Sequence, residues 1–131
     1  MRLILTALIF AGGLASLIIG LSFLVMPHSL IDGFGLSPQG PAGVSTIRAD
    51  FTAFFAVAGA AMLYGAWKRS GEVLLVPVGL FGIAFVGRTI SVFVDGSYTG
   101  VAMPMIVEAA TTILCLAGWR LLPHEPPSSE F

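Results

Sequence analysis

Charged side chains are scarce in this sequence, and their scarcity decides the class of protein. Of the 131 residues, 10% are charged and 56% are hydrophobic, whereas soluble domains carry about 25% charged residues. So few charges cannot cover a surface that faces water. A net charge of −1 also provides no basic surface for nucleic acid and no polybasic segment for anionic lipids. We expect a single domain that is surrounded by membrane lipids and has no nucleic-acid partner.

The residue types that many catalytic and metal sites need are missing as well. Cys115 is the single cysteine, which excludes an intrachain disulfide and a cysteine-rich metal site. The two histidines, His28 and His124, lie outside the long apolar runs. The sequence has no serine–histidine–acid set and no glycine-rich phosphate loop after a strand. We therefore predict a protein that is not an enzyme and that needs neither a metal nor a cofactor.

What the sequence does contain is four long apolar runs. A helix needs about 20 predominantly apolar residues to cross the hydrocarbon core. Four segments meet that length: Leu3–Met26, Thr46–Trp67, Val73–Val94 and Val101–Leu122. The pattern predicts an all-α fold, a four-transmembrane-helix bundle over residues 1–122. Residues 123–131 are too polar and proline-rich to fold alone, so we expect a short disordered cytoplasmic tail there.

The first apolar run has a second interpretation, as a signal peptide. Arg2 precedes the run, and Gly13-Leu14-Ala15 resembles a cleavage site. The run continues eleven residues beyond that site, which is too long for the apolar core of a signal peptide. A retained transmembrane helix is therefore favoured.

The segment between the first two runs is predicted to be a loop. Residues 27–45 contain three prolines and four glycines, a density that breaks regular structure. We expect Ser45 or Thr46 to cap the second helix. Asp50 would then lie near the first turn of that helix, where the helix dipole favours an acidic side chain.

Basic residues indicate the orientation in the membrane. Four of them fall on one side of a four-span topology: Arg2, Lys68, Arg69 and Arg120. The positive-inside rule then places both termini in the cytoplasm. Trp67 and Trp119 are adjacent to Lys68 and Arg120, as expected for an aromatic belt at the cytoplasmic interface. We predict a multi-pass protein of the inner (plasma) membrane.

Two charges, Arg88 and Glu108, lie well inside apolar runs, and each is ten residues from Tyr98. In an antiparallel hairpin they would reach the same depth on facing helices. A charge at mid-membrane costs about 2.5–3.5 kcal/mol on insertion scales, so Glu108 should pair with Arg88 or, alternatively, with Arg48. We expect Arg48 to point inward and Asp50 to point toward the loop. The predicted polar cluster, in the outer half of the bundle, contains Arg48, Asp50, Arg88, Ser91, Asp95 and Glu108.

The polar cluster has two interpretations. It is either an ion pair that clamps the helices, or a site for a small solute or the headgroup of an amphiphile. A small-residue stripe formed by Gly12, Ser16 and Gly20 predicts a close helix contact. That contact would lie within the bundle or against another membrane protein. The alternative function is therefore an accessory subunit that docks on a larger membrane complex.

The spacing of the polar residues also resembles a known family. Gly87-Arg88, Asp95-Gly96 and Glu108, with Ile47-Arg48 opening the second helix, resemble domain-of-unknown-function family 4345 over nearly the whole chain. The resemblance implies a small bacterial four-helix membrane protein, similar in general shape to DoxX-like proteins, and it implies no activity. Phe54-Phe55 stands where members often carry paired glycines.

Overall fold

A computed structural model describes residues 2–123 of the chain. Within that range the chain forms four long helices, α1 Arg2–Val25, α2 Gly40–Lys68, α3 Leu75–Val94 and α4 Ala102–Leu121. Short 3₁₀ turns at Pro27–Ser29 and Glu72–Leu74 lie in the first two connections. Each helix, counting the Glu72 turn with α3, is long and apolar enough to cross a membrane. The prediction of an all-α, multi-pass membrane protein is confirmed. The tail predicted over residues 123–131 lies, apart from Pro123, outside the described residues.

Proline sets where these helices begin and end. Pro27 follows the end of α1 and starts the next 3₁₀ turn. Pro41 is the second residue of α2, Pro77 is the third residue of α3, and Pro104 is the third residue of α4. Proline is tolerated in the first turn because its missing N–H would have no partner there in any case. None of these three prolines therefore breaks the helix that contains it.

The predicted loop over residues 27–45 is too long, because α2 begins at Gly40. Ser45 and Thr46 lie inside the helix and do not cap it, and Asp50 is the eleventh residue rather than a first-turn residue. The density of proline and glycine was misleading because Pro41 favours a helix start. With 29 residues, α2 is about 43 Å long, which exceeds the thickness of a hydrocarbon core of about 30 Å.

The helices form two antiparallel hairpins, α1 with α2 and α3 with α4, which share fewer contacts with each other than within each pair. Backbones in the first hairpin approach closely at three glycines. A Cβ at Gly20 would lie 2.7 Å from the backbone nitrogen of Ala56, and one at Gly59 would lie 2.5 Å from that of Leu17. A Cβ at Gly13 would lie 3.0 Å from the carbonyl oxygen of Gly59. These positions admit no side chain without separating the helices.

The small-residue stripe therefore differs by one residue from the predicted one. Ser16 and Gly20 are buried in α1 together with Gly13, whereas Gly12 lies beside the contact. A Cβ at Gly12 would meet only the terminal methyl of Met62, at 3.0 Å. Flexible side-chain ends can move aside, so Gly12 is not held to glycine in the way that Gly20 is.

An aromatic cluster packs the mouth of the first hairpin, where α1 ends. Phe23 is fully buried, with ring centroids of Phe34, Phe51 and Phe55 within 5.0, 4.9 and 6.2 Å. Phe54 continues the cluster to Phe81 of α3 at 5.2 Å. The loop is thus attached to the bundle through Phe34, and the first hairpin is attached to the second.

Candidate functional site

Arg88 and Glu108 form an ion pair across the α3–α4 hairpin. Nη2 of Arg88 donates to Oε1 of Glu108 at 2.8 Å. Nε of Arg88 lies 3.1 Å from Oε1 and 3.2 Å from Oε2. Two guanidinium nitrogens therefore converge on Oε1, and one of them also reaches Oε2, so the charged groups meet through three charge-assisted contacts. The predicted pairing with Arg88 is confirmed.

The hairpin geometry explains why these two residues meet. Arg88 lies six residues before the end of α3, and Glu108 lies six residues after the start of α4. At a rise of 1.5 Å per residue, each is about 9 Å inside its helix end. Thr112 supports the acidic residue by donating its hydroxyl to the carbonyl oxygen of Glu108 at 2.7 Å. The charges thus lie at one depth inside the apolar hairpin.

Tyr98, in the link between α3 and α4, completes the pair. Nη1 of Arg88 donates to the tyrosine hydroxyl oxygen at 2.9 Å. In the sequence, Tyr98 was recognised only as the midpoint of the hairpin, and no role was predicted for it. The signal was nevertheless present, because a tyrosine in a link combines an apolar ring with a polar end and can reach back to a charge below it.

The charge cluster is open on one side. The Glu108 side chain is 9% exposed and that of Arg88 is 33% exposed. All three guanidinium nitrogens of Arg88 donate hydrogen bonds, to Glu108 or to Tyr98, yet part of the guanidinium group remains accessible at the protein surface. The Tyr98 hydroxyl accepts from Arg88, and its own hydrogen has no acceptor among residues 2–123. The hairpin therefore presents one hydroxyl donor beside a partly exposed positive group.

Ser91 and Asp95 continue the polar face toward the end of α3. Ser91 Oγ donates to Asp95 Oδ2 at 2.7 Å, across one helical turn. Both follow Arg88 at spacings that place the three on one helix face. Asp95 is exposed at the helix end, so its carboxylate is available as an acceptor near the link.

The other two residues of the predicted cluster belong to the first hairpin. Arg48 is half-buried and donates from Nη1 to the carbonyl oxygen of Leu24 at 2.8 Å, near the C-terminus of α1. A cation at this position is stabilised by the partial negative charge of the helix end. Asp50 is exposed and has no hydrogen bond or ion pair in the described part of the chain. The predicted cluster is thus two groups, and Arg48 does not pair with Glu108.

Metal-ligating side chains do not gather in the described range. Over residues 2–123, no three His, Cys, Asp or Glu side chains come close enough to hold one metal ion. Cys115 is free and fully buried.

Four apolar helices with a charge pair between the last two define a small multi-pass helical membrane protein. The chain belongs to the family described as "Domain of unknown function (DUF4345)", whose pattern matches residues 4–119. The family expected from the spacing of the polar residues is thereby confirmed. No curated protein and no solved structure matches the chain.

Proposed function

We propose that this protein is a non-enzymatic membrane protein that binds or carries a small solute or the headgroup of an amphiphile at the α3–α4 hairpin. The observation that carries the proposal is the ion pair between Arg88 and Glu108, inside a membrane-spanning hairpin and one-third exposed at the arginine. Ionisable groups at such depth are costly, and they mark solute pathways or binding sites in many membrane proteins. Here Arg88 and Glu108 neutralise each other, and the exposed part of the Arg88 side chain still presents polar atoms to a ligand.

The chemistry of that edge favours a ligand with hydroxyl or other hydrogen-bonding groups. Arg88 supplies positive charge, the Tyr98 hydroxyl supplies a donor, and the Asp95 carboxylate supplies an acceptor. A polar headgroup could exchange hydrogen bonds with all three while its apolar part remained among the lipid-facing side chains. The guanidinium and carboxylate hold each other fixed, so the edge is pre-organised before a ligand arrives.

The proposed location is the inner membrane of a bacterium, with both termini in the cytoplasm and the α3–α4 link at the outer surface. The basic residues Lys68, Arg69 and Arg120 support this orientation because they lie at the end of the bundle opposite Tyr98. Trp67 at the same end is 75% exposed, as suits an aromatic residue at a membrane interface.

The test is purification from mild detergent followed by mass spectrometry of bound lipids and small molecules. Wild type should retain an amphiphile or solute that the double variant Arg88→Gln/Glu108→Gln loses at equal protein recovery. Asp50→Asn, which changes an exposed acid of the other hairpin, is the matched control and should retain it. Equal ligand content in all three proteins would contradict the proposed site.

One observation favours the alternative, an accessory subunit of a larger membrane complex. A Cβ at Gly79 or at Gly87 on α3 would meet no atom of the described residues within 4 Å, so this helix carries two small residues that the described bundle does not use. Such residues allow another helix to approach closely. In the same purification, this function predicts a stoichiometric protein partner that is lost on Gly87→Leu.

A further inference from the structure

A second polar site lies at the mouth of the first hairpin, apart from the Arg88 pair. An open cleft of about 830 Å³ lies between the connection after α1 and the first turns of α2. Its polar lining includes His28, Asp32, Ser37, Ser45 and Arg48. We propose that this cleft binds a zwitterionic group, an anionic phosphate or carboxylate together with an ammonium, as found in the headgroup of an aminophospholipid.

Arg48 is the anion-binding residue of this cleft. One of its nitrogens donates to the Leu24 carbonyl, and its remaining N–H groups have no partner in the described part of the chain. A guanidinium carries five N–H donors, and its planar geometry matches the oxygens of a phosphate or carboxylate. The bond to Leu24 fixes the arginine in place, so its free donors are held at the cleft.

Asp32 makes the expected ligand zwitterionic rather than simply anionic. Its exposed carboxylate lines the same cleft as Arg48. A purely anionic ligand would be repelled by Asp32, and a purely cationic one would be repelled by Arg48. A ligand with both charges satisfies both side chains. The hydroxyls of Ser37 and Ser45, in the same lining, add neutral hydrogen-bonding groups to the charged ones.

The remaining lining suits an amphiphile at the membrane surface. Ile31, Leu36 and Val44 give the cleft apolar walls beside the polar groups. The cleft lies beyond the end of α1, between the following connection and the first turns of α2, and we expect lipid headgroups at that level because it is the end of a membrane-spanning helix. The same charge pattern would also accept a free solute such as phosphoethanolamine, and the two sources are separated by the experiment.

The experiment measures lipid binding to the full-length chain by native mass spectrometry after delipidation in detergent. Phosphatidylethanolamine and phosphatidylglycerol, which differ in the presence of an ammonium group, are added separately. Wild type should prefer phosphatidylethanolamine, and Asp32→Asn should reduce that preference about two- to fivefold, the factor that corresponds to the loss of one solvent-exposed charge contact. Competition by millimolar phosphoethanolamine would assign the site to the free solute as well; no competition would assign it to the lipid.

Two controls and one further variant make the outcome decisive. Asp50→Asn and Arg69→Gln change charges that do not line the cleft and should leave the preference unchanged. Arg48→Gln should weaken both lipids. If it also impairs folding through the lost Leu24 contact, the preference in Asp32→Asn still decides. Equal binding of the two lipids by wild type, or an unchanged preference in Asp32→Asn, would overturn the proposal.

The Arg88→Gln/Glu108→Gln double variant separates the cleft from the α3–α4 hairpin. It should retain the phosphatidylethanolamine preference, because neither residue lines the cleft. A preference that disappears in this variant, while Asp32→Asn retains it, would move the site to the hairpin and overturn the inference.

Discussion

Two arginines of this protein meet the cost of burying a charge in different ways. Arg88 is neutralised by the carboxylate of Glu108, to which it donates hydrogen bonds at N···O distances of 2.8–3.2 Å. Arg48 has no acidic partner among residues 2–123 and binds the carbonyl oxygen of Leu24 at a helix end. The first arrangement removes net charge from the membrane interior, whereas the second leaves a positive charge near the surface. The two arginines therefore suit different ligands.

These two arginines also differ in how far their contacts could be predicted. The pairing of Arg88 with Glu108 follows from their equal distance to Tyr98, because an antiparallel hairpin brings such positions to one depth. The partner of Arg48 is a backbone carbonyl, a group that every residue carries, so no side chain in the sequence marks it. The cleft around Arg48 could not be predicted either, because it lies between the connection after α1 and the first turns of α2, and the start of α2 was not known from the sequence.

The first prediction concerns the ion pair. Arg88→Leu and Glu108→Leu should each destabilise the protein strongly, because the remaining charge is left uncompensated. Breaking a buried pair costs about 3–5 kcal/mol. Because Arg88 is partly exposed, we expect a loss at the lower end of that range. The double variant should recover part of the loss. Thermal unfolding in detergent, measured for all four proteins, gives the coupling between the two residues.

A double-mutant cycle of the same design on Arg48 and Glu108 is the control for the Arg88–Glu108 cycle. These two residues share no contact, so their single losses should add. Additive losses in the Arg88 cycle, or clear coupling in the Arg48 cycle, would contradict the assigned pairing.

At the scale of the helices, the contact between α1 and α2 depends on backbone proximity. A strict four-residue spacing, as in Gly12, Ser16 and Gly20, drifts around a helix that has 3.6 residues per turn. The observed face, with buried Gly13, Ser16 and Gly20, alternates three- and four-residue steps and so stays directed at α2. A close helix contact along this part of α1 was predictable from the sequence. Which of two adjacent glycines meets the neighbouring backbone was not, because it depends on the rotation of the helix about its axis.

The second prediction uses a series of alanine substitutions at glycines. Gly20→Ala should lower the melting temperature, because its Cβ would lie 2.7 Å from the backbone of Ala56 and overpacking costs about 1–3 kcal/mol. Gly12→Ala should be nearly neutral, because the Met62 methyl can move. Gly87→Ala should be neutral or slightly stabilising, because the position is open and alanine is favoured over glycine within a helix by up to about 1 kcal/mol.

Gly87→Ala is the matched control in that series, since it makes the same chemical change where a neighbour is absent. Melting temperatures that fall equally for Gly20→Ala and Gly87→Ala would mean that the loss reflects glycine replacement in general. In that case the close approach of α1 and α2 would not be the cause.

At the scale of the whole molecule, two tightly packed hairpins are joined through fewer contacts, and each hairpin places a polar site at the same end of the bundle. The connection after α1 and the link after α3 both lie at that end. Alternating helices made this arrangement predictable once four spans were recognised. The aromatic cluster that joins the hairpins was not, because Phe23, Phe54 and Phe81 are apolar residues in apolar runs and nothing local distinguishes them from lipid-facing side chains.

The last prediction tests the orientation that both proposed sites share. Single cysteines are placed at Ser37 and Ser97, both exposed in the two connections at the proposed outer end, and at Ser128 in the C-terminal segment. Cys115 is fully buried, so it can remain as an internal unreactive thiol. An impermeant thiol reagent added to intact cells should label the cysteines at 37 and 97 and leave the one at 128 unlabelled, because the four basic residues at the opposite end of the bundle predict that this end faces the cytoplasm. Labelling at 128 alone would contradict this orientation and show that the protein has the opposite one. Both polar sites would then face the cytoplasm, and their ligands would have to be sought among cytoplasmic solutes and inner-leaflet headgroups.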